Sequence, residues 1–185
     1  MPSRDVRTSR FLALVLRHDP ARIGLRLDAG GWAGIDELLA QAAAHGTALS
    51  EADLRRVVAD NDKQRYVIDD ERRRIRANQG HSVEVDLGLA PEPPPRRLFH
   101  GTTRHRLAAI LDQGLLPMGR QHVHLSAEVA TAARVGARRG PAVVLAVHSG
   151  EMAADGHEFY RSLNGVWLTA AVPARHLEPL PRTAS

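Results

Sequence analysis

Cysteine is absent from the 185-residue sequence, which excludes disulfide bonds and thiolate metal sites. Long apolar runs are absent too, because the longest wholly apolar stretches, residues 11–16 and 142–147, are far too short to span a bilayer. The first ten residues lack the apolar segment of a secretory signal peptide. We therefore expect a cytoplasmic protein that is neither secreted nor membrane-spanning.

Lysine is nearly absent, since Lys63 stands alone beside 24 arginines. GC-rich codon usage accounts for much of such a bias, but arginine also has the planar fork that suits bidentate phosphate contacts. Residues 1–90 carry 14 basic and 14 acidic side chains, whereas residues 91–185 carry 11 and 7. The whole net charge of +4 therefore belongs to the second half.

The composition, 43% hydrophobic and 25% charged, is that of a globular protein with one or two domains. Residues 90–97 hold four of the 11 prolines, and such a run favours an extended connector. We therefore predict a first domain over residues 1–90, a linker over 91–97 and a second domain over 98–185.

The first half shows three helical periodicities followed by a β-hairpin pattern, which is typical of a winged helix. The predicted elements are a helix that Thr8 or Ser9 caps and that ends near Asp19, a helix over residues 35–45, a helix that Ser50 caps, and hairpin strands over 64–69 and 73–77.

The second half mixes short strands and helices, so the sequence predicts an α+β fold overall. The predicted elements are a strand over residues 97–100 that breaks at Gly101, a helix over 103–113, a strand over 121–125, a helix over 127–138 that Ser126 caps, a buried strand over 142–148 and a hairpin that turns at Asn164 and Gly165.

These patterns alone suggest two further hypotheses, a DNA-binding regulator and a metal site. A DNA-binding regulator would insert its third helix into the major groove, but residues 50–61 carry net negative charge, which argues against it. His122 and His124 share one strand face and could hold a metal ion, yet no HExxH motif or local carboxylate completes a zinc site. We therefore expect no bound metal.

Basic or polar side chains stand beside several breaks in regular structure. Arg17 and His18 end the first helix, where they either complement the helix dipole or bind a phosphate. Arg65 lies on the strand face opposite Tyr66, from which it can point into an inter-domain cleft. Glycine, which lets a ligand approach the backbone, precedes Arg120 and separates His100 from Thr102. Together these signals indicate an anion-binding cleft.

Seven segments follow one another in order: Leu16–His18, Asn61–Arg65, Arg76–Ser82, His100–Thr102, Gly114–Arg120, His122–Ser126 and Asn164–Trp167. Together they closely resemble the KptA family of RNA 2′-phosphotransferases, and the resemblance runs from about Ser9 to Glu178.

The resemblance implies an N-terminal winged-helix RNA lobe and a C-terminal lobe of the ADP-ribosyltransferase fold. It implies that NAD+ is consumed to remove an internal 2′-phosphate from RNA, as in tRNA splicing, with release of nicotinamide and ADP-ribose 1″,2″-cyclic phosphate. The residues that it assigns are Arg17, His18, Arg65 and Arg120 to catalysis, and His100, Gly101, Thr102, His124 and Ser126 to NAD+.

The hairpin departs from the related transferases that modify proteins. Those enzymes usually place a catalytic glutamate there, where this chain has Asn164, Gly165 and Val166. A carboxylate helps to activate a poorly nucleophilic acceptor, but a 2′-phosphate is already anionic and needs charge neutralisation instead. The departure therefore fits a phosphate acceptor.

The implied reaction has two steps and uses no metal. A 2′-phosphate oxygen first displaces nicotinamide, and the 2″-hydroxyl of the attached ADP-ribose then attacks the phosphorus and expels the RNA 2′-oxygen. His18 is the candidate for proton transfer, since imidazole titrates near neutral pH. We expect a monomer whose partner is RNA carrying a 2′-phosphate. The alternatives are an enzyme that caps terminal phosphates of RNA or DNA with ADP-ribose, and a non-catalytic winged-helix protein that binds nucleic acid.

Overall fold

A computed structural model describes residues 4–61 and 63–181, without the side chain of Arg139. Over those ranges the chain has six α-helices and nine short strands in three antiparallel sheets, which is an α+β fold. It divides into two compact units between Gly88 and Leu89. No helix in the described ranges combines the length and apolar character that crossing a membrane requires.

The first unit packs three helices on a small sheet of order β1-β3-β2. Its core consists of fully buried side chains such as Leu12, Leu16, Leu38, Leu54 and Ile75. The elements are α1 (Arg4–Arg17), a 3₁₀ helix (Pro20–Ile23), β1 (Ala33–Gly34), α2 (Ile35–Ala44), α3 (Glu51–Ala59), β2 (Tyr66–Asp69) and β3 (Arg74–Ala77).

One of the two helix caps predicted in this unit is confirmed. The Ser50 hydroxyl accepts a hydrogen bond from the backbone N–H of Asp53 at the start of α3. The prediction that Thr8 or Ser9 caps α1 was wrong, because the helix already begins at Arg4. Ion pairs to α3 accompany this earlier start, namely Arg4 with Asp53 at 2.9 Å and Arg56 with Asp5 at 2.8 Å.

The second unit contains two sheets, of order β4-β6-β9 and β5-β8-β7. Its core joins residues of both sheets, including Leu98, Leu125, Val147, Phe159 and Trp167. The elements are β4 (Leu98–Thr103), α4 (Arg104–Gln113), β5 (Val123–Leu125), α5 (Val129–Gly136), a 3₁₀ helix (Ala137–Arg139), β6 (Ala142–Val147), α6 (Ser149–Ala154), β7 (Tyr160–Arg161), β8 (Trp167–Thr169), a 3₁₀ helix (Ala174–His176) and β9 (Leu177–Pro179).

Two predictions about this unit were wrong. Strand β4 does not break at Gly101 but continues to Thr103, because Gly101 lets α5 lie directly on the strand. A Cβ at Gly101 would overlap the carbonyl oxygen of Ala132 in α5. Ser126 does not cap a helix: its backbone exchanges two hydrogen bonds of 2.8 Å with Phe99, and α5 begins only at Val129.

The hairpin predicted at Asn164 and Gly165 is confirmed. Strands β7 and β8 pair antiparallel, with Tyr160 opposite Leu168. Gly165 has a φ of 77°, the left-handed conformation that such a tight turn requires and that glycine adopts without strain.

The proline run hydrogen-bonds within the second unit. The N–H of Glu92 donates to the carbonyl of Phe159 at 2.8 Å, and the Ser149 hydroxyl donates to the carbonyl of Pro95 at 2.7 Å. The division between the units therefore precedes the run.

Candidate functional site

Arg17 and His18 stand where α1 ends, and the segment of residues 78–83 anchors that end. We call this segment the 78–83 loop. The carbonyl oxygen of Arg17 accepts hydrogen bonds from the backbone N–H of Ser82 at 2.8 Å and of Val83 at 3.3 Å. The last carbonyls of a helix have no partner inside the helix, so these amides satisfy one of them. The loop thereby fixes the direction in which the chain leaves α1.

The Ser82 hydroxyl joins His18 to the end of α1. Its oxygen lies 3.0 Å from Nδ1 of His18 and 3.3 Å from the carbonyl oxygen of Arg17. When the single hydroxyl proton is donated to Arg17, Ser82 accepts from Nδ1 of His18. In that arrangement the neutral His18 ring has its basic lone pair on Nε2.

Arg65 belongs to the same cluster through backbone contacts. Its carbonyl oxygen accepts hydrogen bonds from Nη2 of Arg17 at 3.2 Å and from the N–H of Asn78 at 2.9 Å. The Asn78 side chain also donates to the carbonyl of Gln64, whose φ of 42° is unusual for a residue with a side chain. Such conformations persist where surrounding contacts hold them, and they occur often at functional sites.

The positively charged guanidinium of Arg17 lies beside the buried rings of Tyr66 and His81. Arg17 is 9% exposed as a residue, and its guanidinium stands 5.6 Å from the centre of the Tyr66 ring. His81 is buried beside it, and burial, followed by the charges of Arg17 and Arg76, lowers the pKa of His81 to about 4. His81 is therefore neutral at pH 7 and adds no repulsion to the neighbouring guanidinium groups.

In the second unit, Gly101 presents its backbone at a strand edge. Phe99, two residues earlier, directs its N–H and C=O to Ser126. Gly101 is opposite Val144 in β6, but the Val144 carbonyl accepts from Leu180 and so points away from β4. Backbone groups alternate between the two edges of a strand, so the N–H and C=O of Gly101 point to the edge that Ser126 occupies. One donor and one acceptor side by side can bind a planar carboxamide.

His100 is held beside this edge as a neutral ring. Its Nδ1 donates to the carbonyl oxygen of His124 at 3.1 Å. Burial lowers the pKa of His100, and the hydrogen bond to that carbonyl offsets this only in part. A neutral ring that donates from Nδ1 accepts at Nε2, so His100 can bind a hydroxyl group. Thr102 is buried on the same face of β4.

Arg120 and His124 are joined by a side-chain contact. Nη1 of Arg120 lies 3.4 Å from Nδ1 of His124. A guanidinium can only donate, so Nδ1 of His124 accepts, and its proton in the neutral ring is on Nε2. Since the His124 carbonyl also binds His100, the structure brings Arg120, His124 and His100 together within the second unit.

Gly101 is required for the packing of α5 and not for access of a ligand to its Cα. The sequence suggested that it admits a ligand, but α5 fills the space where a side chain would be. What remains available for a ligand is the backbone edge. At Gly119, in contrast, no atom lies within 4 Å of an added Cβ, so the backbone before Arg120 is open.

The predicted residues therefore form one group in each unit. Arg17, His18 and Arg65 lie together in the first unit, and Arg120 lies in the second, so one cleft for all four stays a prediction. Asp62, within the segment that carries Arg65, lies outside the described residues. Among the residues that the structure does describe, no group of three or more His, Asp or Glu side chains could hold a metal ion.

Sequence reasoning did not assign roles to Ser82 and Asn78, although both lie in a segment that carried the family resemblance. Ser82 contacts His18 across 64 positions of sequence, and no periodicity predicts such a pair. The sequence does show a polar segment with a glycine, Gly80, directly after a strand. Such a segment predicts a loop whose polar side chains can form hydrogen bonds.

Known RNA 2′-phosphotransferases are similar to this chain over nearly its whole length. The family model described as "RNA 2′-phosphotransferase, Tpt1 / KptA family" matches residues 3–171. A probable RNA 2′-phosphotransferase of Agrobacterium fabrum is 57% identical over 170 residues, which cover 92% of this chain and 91% of that protein. One of Herpetosiphon aurantiacus is 52% identical over 174 residues, or 94% of this chain and 96% of that protein. The chain therefore belongs to the RNA 2′-phosphotransferase family and is a transferase enzyme.

Proposed function

We propose that this enzyme uses NAD+ to remove an internal 2′-phosphate from RNA, by ADP-ribosylation of the phosphate and then transesterification. The first unit is the winged-helix lobe that binds RNA, and the second is an ADP-ribosyltransferase lobe that binds NAD+. The observation that carries the proposal is the cluster around the 78–83 loop, in which the Arg17 guanidinium binds the Arg65 carbonyl and the His18 ring contacts Ser82.

A phosphate monoester suits this cluster because it offers three anionic oxygens. Guanidinium groups bind such oxygens through charge-assisted hydrogen bonds, each worth about 1.5 to 3 kcal/mol. We propose that Arg17 and Arg65 orient the 2′-phosphate and that Arg120 also binds a phosphoryl group of the reacting substrates. The backbone bonds to the carbonyls of Arg17 and Arg65 fix this part of the site before substrate arrives.

The second unit fits NAD+ at two points. The nicotinamide carboxamide has one donor and one acceptor side, which match the C=O and N–H of Gly101. The ribose next to nicotinamide carries hydroxyl groups, and Nε2 of the neutral His100 can accept from one of them. Ser126, His124 and Thr102 complete the wall around this edge in our proposal. NAD+ serves here as a substrate that the reaction consumes.

The first step forms a bond between a 2′-phosphate oxygen and the ribose carbon that bears nicotinamide, while the bond from that carbon to nicotinamide breaks. The nucleophile is an anion and the leaving group is neutral, so the step needs no proton transfer. The chain contributes by aligning the phosphate with Arg17 and Arg65 and by holding the carboxamide at Gly101.

The second step forms a bond between the ribose 2″-oxygen and phosphorus and breaks the bond from phosphorus to the RNA 2′-oxygen. A proton must leave the 2″-hydroxyl and reach the RNA 2′-oxygen. We propose that Nε2 of His18 takes this proton and then donates it, in the arrangement in which Nδ1 donates to the Ser82 hydroxyl. Guanidinium groups stabilise the charge that builds on the phosphoryl oxygens, so neither step needs a metal.

Mass spectrometry of the products tests the proposal. The enzyme is mixed with NAD+ and a short RNA bearing one internal 2′-phosphate, and a reaction without NAD+ is the control. We expect RNA with a 2′-hydroxyl, free nicotinamide and ADP-ribose 1″,2″-cyclic phosphate. Removal of the phosphate in the control, or transfer of ADP-ribose only to a terminal phosphate, would contradict the proposal.

A further inference from the structure

A cavity lies in the first unit, apart from the residues assigned above. Its volume is about 640 Å³, which is within the usual range for sites that bind small organic groups. It is bounded by α1, by the 3₁₀ helix that follows and by the end of α2. The lining residues are Arg10, Phe11, Leu14, Arg22, Ile23, His45 and Thr47.

One side of the cavity is apolar. Ile23 is 3% exposed and belongs to the core, so it forms a fixed floor. Phe11 packs against the same core but is only partly buried, and Leu14 is also half-buried. An aromatic ring that is anchored on one side and accessible on the other offers a stacking surface for a planar base.

The rim of the cavity carries two exposed arginines, Arg10 and Arg22. Within the described residues, no carboxylate lies within ion-pair distance of either side chain. Five other arginines of this unit do pair with carboxylates, and they are Arg4, Arg55, Arg56, Arg73 and Arg74. The rim therefore keeps two cations available for an anionic ligand.

The helix that lines the cavity also leads to the proposed phosphate site. Arg10, Leu14 and His18 follow each other at intervals of four residues, and the N–H of His18 still donates to the carbonyl of Leu14, so the three lie on roughly the same side of α1 and its C-terminal end. At a rise of 1.5 Å per residue, Leu14 lies about 6 Å and Arg10 about 12 Å along the axis from His18. A strand of RNA bound at His18 can thus reach the cavity with its neighbouring nucleotides.

We propose that this cavity binds a nucleotide that flanks the 2′-phosphate in the RNA substrate. The base stacks on Phe11, and backbone phosphates bind Arg10 and Arg22. The position of this nucleotide next to the 2′-phosphate at His18 rests on the proposed function, whereas RNA binding at the cavity does not. His45 adds a polar group at the rim, because its Nδ1 donates to the carbonyl of Gln41 and leaves Nε2 for the ligand side.

Binding of RNA without a 2′-phosphate tests the cavity independently of catalysis. Fluorescence anisotropy measures the affinity of the full chain for a labelled single-stranded 12-mer across a range of salt concentrations. We compare an Arg10→Ala/Arg22→Ala variant with an Arg26→Ala/Arg72→Ala variant, which removes two exposed arginines of the same unit outside the cavity.

The cavity variant should bind at least about tenfold more weakly at low salt, because two charge-assisted contacts are lost. The slope of log K against log salt should shrink by about 1.4, since each phosphate contact on a single strand contributes about 0.7. The control variant should keep most of the affinity for RNA and most of the salt dependence. Equal slopes and affinities for the two variants would overturn the proposal.

Kinetics with RNA substrates of two lengths test whether the nucleotide in the cavity flanks the 2′-phosphate bound at His18. The cavity variant should raise KM about tenfold for a 12-mer with a central 2′-phosphate, and much less for a dinucleotide with the same modification. Equal increases for both lengths would overturn the placement of a flanking nucleotide. If RNA binding weakens as expected but no 2′-phosphate is removed by the unaltered enzyme, RNA binding at the cavity is supported, whereas the proposed function and the flanking position of the bound nucleotide fail.

Discussion

The two units position their candidate site residues by different means. In the first, separate contacts of the 78–83 loop hold the reactive groups: the Ser82 hydroxyl contacts His18, and Asn78 binds the carbonyls of Gln64 and Arg65 through its side chain and its N–H. In the second, the backbone edge of β4 is itself the binding element, and α5 supports it from behind. A site held by separate contacts can be weakened one contact at a time, whereas a binding edge of backbone depends on the whole packing behind it.

The largest effect should come from Gly101→Ala, which tests the backbone half of this comparison. The added methyl group would overlap the Ala132 carbonyl, so α5 must move and the second unit should lose several kcal/mol of stability together with all activity. Thermal unfolding would measure this loss. Gly119→Ala is the matched control, because its Cβ meets open space. A Gly101→Ala protein that unfolds at the same temperature as the control would contradict the packing argument.

His18→Ala should slow the second step by about 10²- to 10⁴-fold while sparing much of the first, because only the second step needs a proton carrier. RNA that carries ADP-ribose on its 2′-phosphate should accumulate, and label from NAD+ on a gel-shifted RNA would detect it. If both steps slow equally and no intermediate builds up, His18 binds phosphate and the proton carrier lies elsewhere.

Acid should destabilise the first unit through His81. Its pKa is about 4 in the folded chain and 6.5 in the unfolded chain, so the unfolded chain takes up the proton first as pH falls. The stabilisation is complete above pH 6.5 and is lost progressively towards pH 4, by at most about 3 kcal/mol or roughly 10²-fold in the unfolding equilibrium.

Urea unfolding between pH 6.5 and 5 would measure this slope above the range in which most carboxylates titrate. His81→Gln should flatten the slope, whatever its effect on stability at pH 7. Identical slopes in the two proteins would show that His81 does not carry the acid sensitivity. The buried His100 of the second unit titrates alike in both, so it cancels in the comparison.

Arg65→Ala should reduce activity at least about tenfold, through loss of one or two charge-assisted bonds to phosphate. Lysine at this position should restore little of that loss, because it lacks the planar fork. Since the contacts that position Arg65 are made by its carbonyl, the change should leave the 78–83 loop in place. Initial rates with RNA bearing a 2′-phosphate would measure the effect, and wild-type rates would remove Arg65 from the site.

Ser82→Ala should have the smallest effect, a loss of about fivefold or more in the second step. The variant loses the acceptor for Nδ1 of His18, so the ring can adopt the other tautomer and a different orientation. A structural role alone would leave the pH profile of the second step unchanged, whereas loss of the His18 contact should shift its His18-dependent limb. Ser82→Thr, which keeps the hydroxyl, should restore the profile, and failure to do so would contradict the positioning role.

The sequence allowed those parts of the fold to be predicted that depend on neighbouring residues. The Ser50 cap and the hairpin at Gly165 follow from local chemistry and were correct. The continuation of β4 past Gly101 depends on α5, whose Ala132 lies 31 residues later, and the early start of α1 accompanies ion pairs to α3. Family resemblance identified candidate residues of the site but not the groups that hold them, because the contact of Ser82 with His18 forms only in the folded chain.

The carbonyl of Arg17 also controls how fast two amide protons of the 78–83 loop exchange with solvent. The amide protons of Ser82 and Val83 both point at that one carbonyl, so they exchange with solvent slowly only while the loop stays closed on the helix end. Their exchange rates therefore provide a built-in reporter for the assembly of the cluster, with neither RNA nor NAD+ present. Isotope labelling followed by NMR can read this reporter residue by residue, on the timescale of minutes to hours that local opening occupies.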